Sequence, residues 1–219
     1  MSAYSNQCAC RAPVGRKAIQ GFTLIELMIV VLVGLVLLTL ALPSFDAVMN
    51  SGRINSQANE FVATLQLAKM EAIRRNARVV VCPSTNGTSC TGGGNWQGWV
   101  AFVDDGGYSH NWAAGVASNA NNTQVDANET ILRAGVVPSN VTVTSSSNIS
   151  GTTNGAIIFR ADGLARDNAG NLLNGRIGVC VVTTRPPENA RNVMISTGGR
   201  ISVEQVTNAA CTVPSNANS

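Results

Sequence analysis

One carboxylate stands where a carboxylate is costly. Glu26 lies inside the apolar run GFTLIELMIVVLVGLVLLTLALP, from Gly21 to Pro43, four residues after Phe22. An ionised side chain in hydrocarbon costs several kcal/mol unless it finds a partner. A cut after Gly21 would supply one, because the new α-amino group on Phe22 sits one helical turn from Glu26 and could neutralise it in the same chain or in a neighbour. The chemistry on offer is cleavage of the Gly21–Phe22 bond followed by charge pairing at Glu26. The plain alternative is a membrane anchor with a stray glutamate.

A leader bearing Arg11, Arg16 and Lys17, then Gly21, then Phe22, Thr23, Leu24, Ile25 and Glu26 ahead of an apolar helix resembles the class III signal of type IV prepilins and type II secretion pseudopilins. Pro43 falls where pilin helices commonly carry a proline. The resemblance implies cleavage after Gly21 and N-methylation of Phe22 by a prepilin peptidase, with Glu26 serving assembly. The leader differs from a Sec-type signal peptide because its apolar stretch follows the cut and stays in the mature chain.

Four cysteines follow the leader: Cys82, Cys90, Cys180 and Cys211. An even number in an exported domain suits disulfides, and three pairings are open. Cys82 with Cys90, closing a short loop, and Cys180 with Cys211, tying down the C-terminal tail, are favoured. Zinc is the rival, but the spacing lacks C-x-x-C and a second histidine. Enzymatic readings want for parts: His110 is the sole histidine, there is no G-x-S-x-G or H-E-x-x-H, and Gly92-Gly93-Gly94 lacks the Lys-Ser/Thr of a phosphate loop. No catalytic residue and no metal or other cofactor is expected. Asp104 and Asp105 read as a turn rather than a calcium site, and Trp96 and Trp99 as sheet or core residues.

These residues need elements to hold them. Phe22 to Leu42, at about 1.5 Å per residue, would span roughly 30 Å as a helix, enough to cross a bilayer. Ile54, Ala58, Phe61, Leu65, Ala68 and Ala72 then recur at helical spacing, so an amphipathic helix is expected over 44–76, softened at Pro43 and Gly52. Glu71, Arg74 and Arg75 read as solvated charges on its polar face. From Arg78 the period becomes two, with strands expected at 78–82, 98–103, 130–134, 140–144, 156–160, 176–182, 193–196 and 201–206. Residues 108–128 read as a long exposed loop, 145–154 as a turn or loop, and 212–219 as a frayed tail.

The chain of 219 residues is only 12% charged and 5% aromatic, a balance of extracellular β-rich domains. Losing Arg11, Arg16 and Lys17 takes its 15 basic residues to 12, against 12 acidic ones, so the mature protein is near neutral. The leader's charges hold the N-terminus in the cytoplasm and send the remainder outward. The expected organisation is a leader over 1–21, a transmembrane helix over 22–43, an amphipathic helix over 44–76 and a β-rich globular domain over 77–219. This is an α+β fold.

The segments VVVCPSTNGTSC, NWQGWVAFVD, GAIIFRADGLAR, IGVCVV and STGGRISVE resemble, in that order, the globular domain of the FimT, FimU and GspH minor pilin and pseudopilin group. That resemblance implies a long N-terminal helix packed against β-sheets. It also implies a minor type IV pilin, held in the bacterial inner membrane and assembled with other minor pilins and the major pilin to prime or cap a pilus. The alternative is a GspH-type pseudopilin of type II secretion. DNA-uptake members carry Gly-Arg-x-Arg; here Gly199-Arg200-Ile201-Ser202 keeps the first arginine only. Arg185 and Arg191 are the residues expected to join Arg200 if DNA is a partner, although in their place these arginines could equally cap strands and pair with acids.

Overall fold

A computed structural model of the chain describes residues 21–105 and 121–217, without the side chains of residues 40–44. The leader before Gly21, with Cys8 and Cys10, and the segment holding His110 lie outside the described residues. The chain forms two compact units, Met1–Pro43 and Ser44–Ser219. Helix α1 (Leu24–Arg75) contributes to both.

In the first unit Thr23 starts the helix. Its carbonyl accepts from the Leu27 amide (3.1 Å) and its hydroxyl from the Glu26 amide (3.3 Å), which satisfies donors that a helix start leaves open. Leu24, Ile25, Leu27, Met28 and the large apolar residues from Ile29 to Leu38 are exposed on every side. Among the described residues, no helix is long and apolar enough to cross a membrane.

In the second unit the helical stripe read from the sequence is the stripe that is buried. Ile54, Phe61, Leu65, Ala68 and Ala72 are fully covered and Ala58 nearly so, with Phe61 and Leu65 each contributing about 1.5–3 kcal/mol of burial. Helix α1 continues from the first segment into this stripe as one element, as the sequence leads one to expect.

Against this stripe pack β1 (Val79–Pro83), β2 (Gly98–Val103), β3 (Ile131–Val136), β5 (Ile157–Phe159) and β6 (Ala165–Arg166), in the antiparallel order β3-β2-β1-β5-β6. A second antiparallel sheet, β4-β7-β8-β9, comprises β4 (Thr142–Ser145), β7 (Gly175–Cys180), β8 (Ala190–Ile195) and β9 (Ile201–Val206). A bridge from Asn95 to Thr144 links the two. Val79, Val81, Trp99, Phe159, Ile177, Val179, Val193 and Ile195 share one core with the helix. Alternate residues Val80, Cys82, Val100, Phe102 and Ile158 form a smaller core on the far face of the first sheet. That second core is why β1 and β2 are buried along their whole length, where a one-sided sheet would alternate.

Four expectations need correction. Residues 145–154 are not plain loop: they hold α2 (Ser147–Ser150) and a 3-10 turn (Thr153–Gly155), with Ile149 fully buried. The strand expected at 193–196 begins at Ala190, because Arg191 and Asn192 interrupt the apolar pattern yet pair in the sheet. The tail is docked over 211–217: Pro214 packs on Gly178, Arg176 donates to the Ser215 and Asn216 carbonyls, and Asn174 donates to the Ala217 carbonyl. Within 108–128, Thr123 is buried, with its amide bonded to Asp104.

Candidate functional site

The amino-terminal constellation is compact. Gly21 and Phe22 precede the helix, Phe22 is 82% exposed, and Glu26 occupies the third helical position, also exposed. A carboxylate in the first turn is favoured by the helix dipole by about 0.3–1 kcal/mol. Thr23 is the member that the sequence reading passed over. Its signal was the Thr-x-x-Glu spacing of a capping box, of which the Thr23 hydroxyl to Glu26 amide half is formed. Glu26 thus has two separable attributes here, an amide held by Thr23 and a carboxylate left open.

The three arginines close in sequence do not meet. Arg191 is buried: its Nε donates to Asn55 Oδ1 on α1 (2.9 Å) and its Nη1 to the carbonyls of Glu188 (3.0 Å) and Ala190 (2.9 Å). Burial pushes its guanidinium below the usual arginine range, against the pull of Glu188. It is a clasp between β8 and α1, the structural alternative that the sequence offered for it beside DNA contact. Arg185 is exposed on the β7–β8 loop, whose carbonyl at Arg185 accepts from Asn50 Nδ2 (3.0 Å). Arg200 is exposed on the β8–β9 turn, where Lys69 Nζ donates to the Gly199 carbonyl (2.9 Å). Asn50 and Lys69 are separated by roughly 28 Å of helix. Arg185 and Arg200 therefore mark opposite ends of the sheet and cannot grip one short stretch of backbone together.

Of the other arginines, Arg166 pairs with Asp162 (2.7 Å) and Arg176 holds the tail. Arg78 lies 3.1 Å from Asp104 at the end of β2. Asp104 also accepts the Asn122 and Thr123 amides, so the supposed turn residue anchors the returning loop. Burial drives the Asp104 carboxyl up and the Arg78 guanidinium down, each only partly offset by the other. Glu71 is not merely solvated: Arg74 and Arg75 both bond its carboxylate at 2.7 Å and pull it down to about 2.

Both favoured cysteine pairs are formed. Cys82–Cys90 and Cys180–Cys211 have Cα separations of 5.6 and 5.5 Å, and with all four sulfurs bonded none is left to hold zinc. Trp96 and Trp99 are core residues. Phe61 packs on both, at 5.7 and 4.6 Å between ring centroids, and Trp99 Nε1 donates to Thr64 Oγ1 (3.2 Å).

A family model described as type II transport protein GspH matches residues 57–199, and one described as the prokaryotic N-terminal methylation motif matches residues 16–42. Among solved structures, the type IV minor pilin FimU of Pseudomonas aeruginosa is 18% identical, covers 74% of this chain and 97% of its own, and has a TM-score of 0.47. The minor pseudopilin EpsH of the Vibrio cholerae type 2 secretion system is 9% identical, covers 70% and 97% respectively, and has a TM-score of 0.44. No curated protein sequence matches the chain.

Proposed function

The chain belongs to the GspH family of type II transport proteins, and from that membership we propose that it is a minor type IV pilin, a structural subunit whose helix is inserted into a filament. It carries the N-terminal methylation motif, so it is a subunit of the pilin and pseudopilin class. The observation that carries the finer reading is the exposed apolar helix start with one open carboxylate at Glu26. In this reading prepilin peptidase cuts after Gly21 and methylates Phe22. The apolar run, which in the sequence extends to Leu42, holds the protein in the inner membrane as a single span with the β-rich domain outside. Assembly then exchanges lipid for neighbouring apolar helices, and Glu26 pairs with the Phe22 amine of an adjacent subunit, setting the register of insertion.

The test is mass spectrometry of sheared filaments. A mature chain beginning at N-methylated Phe22 within them supports the reading; its confinement to uncut membrane material overturns it. Pilus minor-pilin genes beside this one support the type IV reading; a type II secretion operon around it overturns that reading in favour of a GspH-type pseudopilin. DNA contact is not part of the proposal, because Arg191 is engaged and Arg185 and Arg200 stand apart.

A further inference from the structure

The first sheet ends in a row of charges. Val79 of β1 pairs with Val103 of β2 on one side and with Phe159 of β5 on the other. One residue beyond, the same register sets Arg78 between Asp104 and Arg160. The Asp104 amide donates to the Arg78 carbonyl (2.9 Å), and the Arg160 amide to the Leu164 carbonyl (3.3 Å). Across the sheet the row therefore reads Asp104, Arg78, Arg160, Leu164. Two bases share one acid, and like charges directly opposite each other destabilise a strand pair.

That acid is already engaged. Asp104 lies 3.1 Å from Arg78 Nε and accepts the Asn122 and Thr123 amides. Asp162, which Arg160 also reaches, is bonded to Arg166 (2.7 Å), and Glu71 is held by Arg74 and Arg75. Glu129 acts on Arg78 from the loop, its carboxylate bonded to the Asp126 amide (3.0 Å). Burial first, and then the charge of Arg160, hold the Arg78 guanidinium below the usual arginine range against the pull of Asp104 and Glu129. Arg160 is exposed, and among the described residues its guanidinium makes no hydrogen bond or ion pair.

Both arginines line a cleft of about 420 Å³ with Asn76, Ala77, Asn121 and Ala161. The Arg78 side chain is only 10% exposed, yet it keeps donors in hand. Its Nη1 donates to the Asn121 carbonyl (3.1 Å) and its Nη2 to Thr123 Oγ1 (2.7 Å), which uses two of five N–H groups. Its Nε makes no hydrogen bond, despite the nearness of Asp104. The end of α1 beside the cleft opposes an anion weakly, because the Ala72 and Ile73 carbonyls already accept the Ala77 and Asn76 amides.

We propose that this cleft is an oxyanion site for a single phosphoryl group, with Arg160 and Arg78 as its two guanidinium donors. The anion takes the place of the acid that the row lacks. Several acceptor oxygens on one centre suit two planar forks of donors better than one halide does. The other exposed arginines have no such pairing: Arg200 faces Ser196 across its turn, and Arg185 stands in a loop. Nothing in this site depends on assembly into a filament.

The test is an NMR titration of the full chain in a phosphate-free maltoside detergent, reading the arginine Nε–H groups. Sodium phosphate should shift Arg78 and Arg160 saturably, while sodium chloride at matched ionic strength should not. Arg160→Gln, a change at an exposed side chain, should weaken binding at least tenfold, and Arg160→Lys should keep a weakened site. Arg200→Gln should leave binding unchanged. Methyl phosphate and dimethyl phosphate separate the sources: saturation by the first alone assigns a free or terminal phosphate, and saturation by both assigns a phosphodiester as well. A response without saturation, an equal response to chloride, or undiminished binding by Arg160→Gln overturns the proposal.

Discussion

Arg191 reaches from β8 to α1, its Nε 2.9 Å from Asn55 Oδ1. Two further bonds from Nη1 run to backbone carbonyls, so the guanidinium is a structural clasp. Arg191→Ala should cost about 2–3 kcal/mol, from lost charge-assisted hydrogen bonds and stranded acceptors, in urea unfolding of the Ser44–Ser219 unit. Arg191→Lys should recover only part of this, because one ammonium cannot serve both Asn55 and the loop carbonyls.

Gly135 and Trp99 set a second tight constraint. A Cβ at Gly135 would overlap the Trp99 ring, and the indole is pinned by Thr64 and Phe61. Gly135→Ala should therefore destabilise by about 1–3 kcal/mol through overpacking, with a shift in tryptophan fluorescence. Unchanged stability would mean that β3 can move away from Trp99 freely.

Glu71 makes the pH dependence of the helix end specific. Its carboxyl is lowered from 4.5 to about 2, chiefly by hydrogen bonds from Arg74 and Arg75. A lowered carboxylate contributes stability that is present above its unfolded value and is lost as pH falls, here between about 4.5 and about 2. A carboxyl NMR titration of Glu71 should show a midpoint well below that of an ordinary glutamate. Glu71→Gln should flatten stability against pH over the same window, and by little, since exposed pairs are weak.

Why the sequence disclosed some of this and hid the rest has physical causes. The stripe from Ile54 to Ala72 was legible because helical periodicity records burial directly. Spacing and compartment favoured both cysteine pairs among three open pairings, and both are formed. Arg191 could be placed either on DNA or in the fold, because a charged residue at a strand's inner face looks like a surface residue until the Asn55 acceptor, far away in sequence, comes into view. The tail looked frayed for the same reason. Its polar residues Ser215 and Asn216 have no local pattern, and their partners Arg176, Ser147 and Asn148 lie far upstream. Thr23 was legible as a Thr-x-x-Glu capping spacing, although the same glutamate also reads as a membrane charge.

The two disulfides should differ in weight. Cys180–Cys211 closes a separation of 31 residues and Cys82–Cys90 one of 8. Chain entropy makes the longer closure worth about 1 kcal/mol more. Cys180→Ser/Cys211→Ser should thus cost more than Cys82→Ser/Cys90→Ser in urea unfolding. It should also speed amide exchange selectively over 211–217, because only non-covalent contacts from Arg176, Asn174, Asn148 and Ser147 then hold the tail. Equal costs would place the tail's stability in those contacts instead.

Glu26 allows the sharpest separation, because its amide and its carboxylate serve different ends. The amide is capped by the Thr23 hydroxyl at 3.3 Å, a bond that persists whatever side chain stands at position 26. Glu26→Val should therefore leave the helix start and cleavage after Gly21 intact while removing the only acid in the apolar run. The expected result is a processed, N-methylated chain in the membrane fraction with incorporation into sheared filaments reduced at least tenfold. Thr23→Val is the converse control: it removes the cap and keeps the carboxylate, so it should loosen the first turn by about 1 kcal/mol and leave incorporation largely intact. If Glu26→Val subunits enter filaments in normal amounts, the carboxylate does not set the register and apolar packing from Leu24 onward is sufficient. If instead Thr23→Val abolishes entry as completely, the order of the first turn matters more than its charge.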